Sequence, residues 1–214
     1  MFSYFAKHAD MLLGAFAEHL LIVFETLLIS IVLAAVLSYL LLRSEKATNM
    51  VVHFFSPVYS IPTMALFAML IPLLGLGNST SIPVLVAYNQ YLLIRNIMSG
   101  MQQVDKSLLE AGTGMGMSHW QLVTKVQLPL AMPSIIAGIR LAIVSTTGIA
   151  VIAATINAGG LGKILLSGLR TMNVNKIVWG TILSVIIALI ADVSLRQLEK
   201  RILWKERRNA ADHA

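Results

Sequence analysis

The stretch Glu110 to Pro129, EAGTGMGMSHWQLVTKVQLP, decides how this chain is read. It is polar, punctuated by Gly112, Gly114 and Gly116, and flanked on both sides by long apolar runs. Hydrocarbon offers no water to satisfy the backbone of such a segment, so it must face water on one side of a membrane. Soluble partners can reach it there. Its local chemistry predicts a helix, an elbow and a second helix. Ser107 to Met115 is expected to be helical, and the glycines permit a sharp bend because they reach backbone angles that other residues avoid. Ser118 is placed to cap a short helix over His119 to Val126 through the free amides of its first turn. Pro129 and Pro133 are expected to end that helix and redirect the chain. Leu108, Leu109, Trp120, Leu122, Val123 and Val126 supply more apolar surface than a free loop needs. A groove on a partner would cover them, with Glu110 adding a charge; a loop lying on lipid headgroups is the plainer alternative.

Composition points to the same solvent. The chain has 214 residues, 57% of them hydrophobic and 12% charged, against ~45–50% and ~25% in soluble domains. A soluble domain of this size lacks the interior to hide that much apolar surface. With no cysteine, a disulfide framework and a cysteine-ligated metal site are both excluded. The net charge of +6 does not call for nucleic acid, because six of the sixteen basic residues lie in the last nineteen positions beside an apolar run. A cytoplasmic tail near anionic lipid explains them.

A membrane-spanning helix needs ~20 largely apolar residues, and five stretches qualify: 20–42, 51–74, 82–101, 134–156 and 177–195. The second contains Pro57, Pro62 and Pro72, which are read as kinks; a full break there would give six spans. With the Glu110 loop inside, ten of the sixteen Lys and Arg residues fall in cytoplasmic segments, four outside and two, Arg95 and Arg140, within spans. That asymmetry predicts an outside N-terminus and a basic cytoplasmic tail over 196–214. Residues 1–19 lack a signal-peptide pattern. Phe2, Phe5, Ala9, Leu12 and Phe16 form one stripe at helical spacing, which predicts an amphipathic helix lying in the outer interface.

The spacing in the opening stretch is also specific. Glu110-Ala111-Gly112, three residues, Gly116, nine residues, Val126, one residue, Leu128-Pro129 resembles the EAA loop of ABC-importer permeases, with Gly112 where alanine is usual. Further stretches resemble the osmoprotectant (glycine betaine, carnitine, choline) branch of that family. They are Ile61-Pro62-Thr63-Met64-Ala65-Leu66, Ile94-Arg95-Asn96 followed by Gly100, Ala137-Gly138-Ile139-Arg140, and Ala153 through Gly162. In the last of these, Thr155 replaces phenylalanine and Asn157 replaces glycine. The resemblance covers about Glu18 to Arg201. It implies an all-α integral membrane protein with the five-helix core of a type I importer, two permease copies or paralogues around a central pathway. It also implies ATP-binding cassette ATPases bound inside, a substrate-binding protein docking outside, and a place in the cytoplasmic membrane. The chain itself then needs no cofactor; ATP and Mg belong to the ATPase. Glu110, Ala111, Gly112, Gly116, Val126, Leu128 and Pro129 become the ATPase-coupling residues.

Other constellations are weaker. Gly162-Lys163 fails the phosphate-loop pattern at Asn157 and Ile164, and Gly112-x-Gly114 fails the dinucleotide pattern at Met117. Gly159 and Gly160, with Thr155 and Asn157, mark irregular backbone near the outer face, read either as a pathway wall or gate or as a plain turn. Glu25 lies inside the first span without an obvious partner. Arg95, Arg140 and Asp192 sit near the cytoplasmic edge, where snorkelling and pairing suffice; Asp192 can pair with either arginine or with Arg196. The five histidines are scattered at spacings unlike a metal site. No catalytic constellation supports an intramembrane enzyme. A secondary transporter would want carboxylates near the midplane, and only Glu25 lies well inside the apolar zone, one to two turns from the outer edge. An importer for another small solute, such as an amino acid, also fits the residues.

Overall fold

The computed structural model describes residues 2–42 and 44–212, all of the regular structure being helical. Arg43 lies outside the described residues, as do the side chains of Lys205, Arg207 and Arg208 of the expected tail. In chain order the helices are α1 Phe2–Lys7, α2 Ala9–Leu41, α3 Glu45–Ser60, α4 Thr63–Leu74, α5 Asn78–Gln102, α6 Lys106–Gly114, α7 His119–Leu122, α8 Leu128–Ile152, α9 Leu161–Arg170 and α10 Val174–Asp212.

Helix α5 is the hub, packing against α2, α3, α4 and α8. Val23, Leu27, Ala34, Leu93, Ile94, Ile97, Ala131 and Ala142 form the main apolar core from α2, α5 and α8. Small residues let α5 and α8 approach closely, as in membrane bundles generally. A Cβ added to Gly100 would stand 2.7 Å from Ser134 Cβ, and one added to Gly138 would stand 2.7 Å from Asn96 Cβ. Two of the short motifs noted above therefore interlock. The outward faces of α2 and α10 carry exposed Leu28, Val32, Val36, Leu189 and Ile190, as expected where lipid is the solvent.

Among the described residues, three helical runs are long and apolar enough to cross a membrane: Ala9–Leu41, His119–Ile156 and Val174–Arg201. The α3–α4 pair passes the same test only when taken together. Its 99° bend corrects the kinked second span. Pro57 and Pro72 stay inside helices, whereas Ile61 before Pro62 is extended at φ −65°, ψ 133°, the conformation that a following proline favours. The carbonyl freed at Ile61 accepts a 2.6 Å hydrogen bond from the Tyr88 hydroxyl. Helix α5 has the length of a span but less apolar character, since Asn89, Gln90, Arg95 and Asn96 lie along it.

The stripe expected over 1–19 is divided between two helices, α1 and the start of α2. The first long helix begins at Ala9 and runs unbroken through Leu41. Its early polar residues find protein partners: buried His19 bonds the Thr147 carbonyl at 3.2 Å, and Glu18 pairs with Lys163. Phe5, Leu12 and Phe16 pack on Leu161, Ile164 and Trp179 of α9 and α10.

Candidate functional site: the α6–α7 elbow

Asp105 opens the elbow by capping α6, its carboxylate accepting from the Ser107 amide at 2.9 Å. That bond holds the Asp105 carboxyl below its ordinary pKa. At the other end the helix closes on Gly116, the one elbow glycine at positive φ (+81°). The Met117 amide bonds the Gly112 carbonyl at 3.1 Å and the Gly116 amide bonds Thr113 at 2.9 Å. This paired closure is the Schellman arrangement, which wants glycine at that position because its left-handed backbone is one that residues with a Cβ adopt only at a cost. Ser118 and Gln121 then form a reciprocal capping box, with bonds of 3.3 Å and 2.8 Å, that starts α7. Both halves of the turn are fixed by local hydrogen bonds.

Gly112 is buried, and a Cβ on it would stand 2.6 Å from Leu122 Cδ2 and 3.1 Å from Met117 Sδ. The two arms thus close on each other over a residue without a side chain. Outside that contact the elbow is open. Glu110 and Ala111 are exposed, as are Leu108 at 48%, Trp120 at 59% and Met115 at 77%. Of the apolar residues expected to face a partner, Val123 is instead buried in the α2–α5–α8 core. Trp120 stacks edge-on against Tyr39 of α2 with ring centroids 5.5 Å apart. Met115 had no motif to mark it.

Pro129 does not end the second arm. Val123–Gln127 is a π-helical turn in which the Leu128 amide reaches back to Val123, and α8 continues directly from it. The wider turn absorbs the proline, as π-bulges do inside long helices. Val126, Leu128 and Pro129 therefore sit on a rod continuous with α8 rather than at a corner.

The residues expected at a gate separate into two sets. Thr155 and Asn157 are exposed. Asn157 is left-handed at φ +66°, a conformation that asparagine tolerates better than most residues, so it is a conservative stand-in for glycine. Gly159 and Gly160 are buried against α2: the Gly160 amide donates to Glu18 at 2.7 Å, and a Cβ on Gly160 would stand 2.8 Å from His19 Nδ1. They are close-packing positions. Glu25 is half-buried, with no hydrogen bond or ion pair among the described residues.

Sequence reasoning missed a buried polar cluster at the hub. Asn89 bonds Ser30 at 3.2 Å and Thr146 at 2.9 Å, joining α5 to α2 and α8. Arg140 pairs with Asp192 at 2.7 Å, as expected, and also with Glu199 at 3.1 Å. Arg95 takes no part in that network.

The geometry has counterparts in known proteins. The fold is similar to the methionine ABC transporter MetNI in inward-facing form, at a TM-score of 0.83 and 21% identity, covering 92% of this chain and 98% of that one. The carnitine transport permease protein OpuCB of Listeria monocytogenes is 36% identical over 98% of this chain and 96% of its own length. The glycine betaine/carnitine/choline transport system permease protein OpuCB of Bacillus subtilis (strain 168) is 34% identical over 96% and 94%. Across residues 25–204 the chain matches the family of binding-protein-dependent transport system inner membrane components, and it belongs to that family of multi-pass ABC permeases.

Proposed function

We propose that this permease moves a quaternary-ammonium osmoprotectant such as glycine betaine, carnitine or choline across the cytoplasmic membrane, powered by separate ATPase subunits. The observation that carries the coupling mechanism is the elbow itself: a doubly capped turn, closed over Gly112, that presents Glu110, Met115 and Trp120 outward and joins α8 without a break. Five spans, an outside N-terminus and a cytoplasmic elbow complete the topology, with α3–α4 counted as one broken span. ATP closure of the ATPase pair would push the elbow, and the rigid α7–α8 rod would carry that push to the hub. The site then turns from outside-open to inside-open. A second permease copy or paralogue faces it across the pathway, and a binding protein delivers solute from outside. The chain performs no bond chemistry and holds no cofactor of its own.

The substrate rests on the named solutes of relatives at 34–36% identity over nearly the whole chain. These favour an osmoprotectant over an amino acid, since the methionine transporter shares only the fold. The test is uptake of labelled glycine betaine, carnitine and choline in a deletion strain with and without the permease. Permease-dependent uptake of at least one supports the reading. Unchanged uptake of all three, with loss of another solute's transport, overturns it.

A further inference from the structure

Arg140 and Arg95 occupy comparable places on neighbouring helices but are treated differently. Two carboxylates neutralise Arg140. Arg95 is exposed, and among the described residues its guanidinium meets only Tyr91: the hydroxyl at 2.7 Å and the ring at 5.7 Å from its centroid. At the cytoplasmic edge such a guanidinium can snorkel to water, and an ionisable residue of a membrane helix that lacks a counter-charge is also a candidate for a ligand path. Arg95 opens into a cleft of 470 Å³ between α3 and α5, shared with His53, Ser56 and Tyr91. Most of the fork of five guanidinium donors stays available, and its shape matches a carboxylate.

The surroundings add a second element. Tyr59 stacks on Tyr91 with centroids 5.1 Å apart and meets Tyr88 edge-on at 5.8 Å. Tyr59 is 37% exposed, so ring surface remains open beside the cleft. Aromatic faces attract quaternary ammonium groups. Tyr88 also ties down the broken backbone at Ile61, and interrupted helices in transport proteins tend to border the solute site. Arg95 and Tyr91 thus line one cleft, Tyr59 stacks on Tyr91 at its side, and the helix break at Ile61 follows two residues after Tyr59.

We propose that this cleft is a solute subsite of the permease, in which Arg95 holds the carboxylate of a zwitterion and Tyr59 receives its quaternary ammonium group. This rests on the osmoprotectant reading above and sets the carboxylated solutes apart within it: glycine betaine and carnitine engage Arg95 through a carboxylate, which choline lacks. Ser56 and Tyr91 position the solute and the guanidinium. Arg95 is therefore a specificity residue on the path, separate from the elbow that takes up the ATPase stroke.

The test uses the whole transporter, permease with its ATPase and binding protein, in proteoliposomes. In Arg95→Gln, glycine betaine and carnitine uptake is expected to fall about ten- to hundredfold, the range for losing a hydrogen bond to a charged group. Choline uptake is expected to stay within about twofold, with ATPase co-purification unchanged. Choline falling by the same factor, or betaine uptake unaltered, overturns the subsite. Tyr91→Phe, which removes only the hydroxyl that holds the guanidinium, serves if Arg95→Gln fails to accumulate. A selective loss of about threefold sustains the proposal and an equal loss for both solute types defeats it. A wild type that carries choline but no carboxylated solute sinks the subsite alone; one that carries none of the three sinks the osmoprotectant reading with it.

Discussion

Gly112 and Leu122 touch across the elbow, so that a Cβ on the glycine would stand 2.6 Å from Leu122 Cδ2. The clashing atom is the tip of a flexible side chain. Gly112→Ala is therefore expected to retain at least about half of wild-type uptake, because Leu122 can rotate aside at a cost of about 1 kcal/mol. Gly112→Val adds bulk that this rotation cannot clear. Its uptake is expected to collapse together with ATPase co-purification, while membrane abundance stays normal. Equal behaviour of the two variants would contradict the packing.

Gly116 carries the turn through its backbone rather than through space, since no atom lies within 4 Å of a Cβ built there. At φ +81° an alanine costs about 1–2 kcal/mol. Gly116→Ala is expected to weaken coupling several-fold, and Gly116→Val to abolish it. Gly116→Asn is expected to keep more activity than Gly116→Ala, because asparagine tolerates left-handed backbone. Uptake measured against membrane abundance distinguishes these orders.

Arg140 joins α8 to α10 through Asp192 and Glu199. The side chains are about a quarter exposed, so solvent moderates the pairing, and Arg140→Gln is expected to cost about 1–3 kcal/mol. Asp192→Asn is expected to cost less, because Glu199 still serves the guanidinium. A double-mutant cycle read by thermal unfolding in detergent is expected to give a coupling of about 1 kcal/mol. Strict additivity would show that the pair is incidental.

Asn157 tests the turn between α8 and α9. It holds φ +66°, which glycine adopts at no steric cost. Asn157→Gly is expected to be neutral within about 0.5 kcal/mol, and Asn157→Val to destabilise by about 1–2 kcal/mol. A thermal shift in the opposite order would mean that the asparagine side chain, not its backbone, matters.

The elbow was legible in advance because its determinants are local. Ser118 caps α7 through atoms within a few residues, and the glycines mark the bend; the return bond from Gln121 and the closure on Gly116 came only with the structure. The apolar stretches 20–42, 134–156 and 177–195 were legible for the same reason, each overlapping a helical run apolar enough to cross a membrane. What escaped depended on distant partners. Asp10, Glu18 and His19 interrupt the apolar pattern, yet Lys163 pairs with Glu18, the Thr147 carbonyl meets His19 Nε2, and α2 passes straight through them. Pro129 looks like a terminator, but a π turn accommodates it. The break at Ile61-Pro62 was open to a sharper reading, since Ile61 has the extended bias of any residue before proline. The Tyr88 bond that supports the break joins residues 27 apart and has no sequence signature. The Asn89–Thr146 tie is equally silent.

The central claim is that the elbow lies in the cytosol and bears on an ATPase. The chain has no cysteine, so Met115→Cys, at a 77% exposed position on the elbow, introduces a unique thiol. It is predicted to resist an impermeant maleimide in intact cells, to react in inside-out vesicles, and to cross-link to the ATPase subunit. Labelling from the outside, or cross-linking to no ATPase in the assembled transporter, would contradict the account.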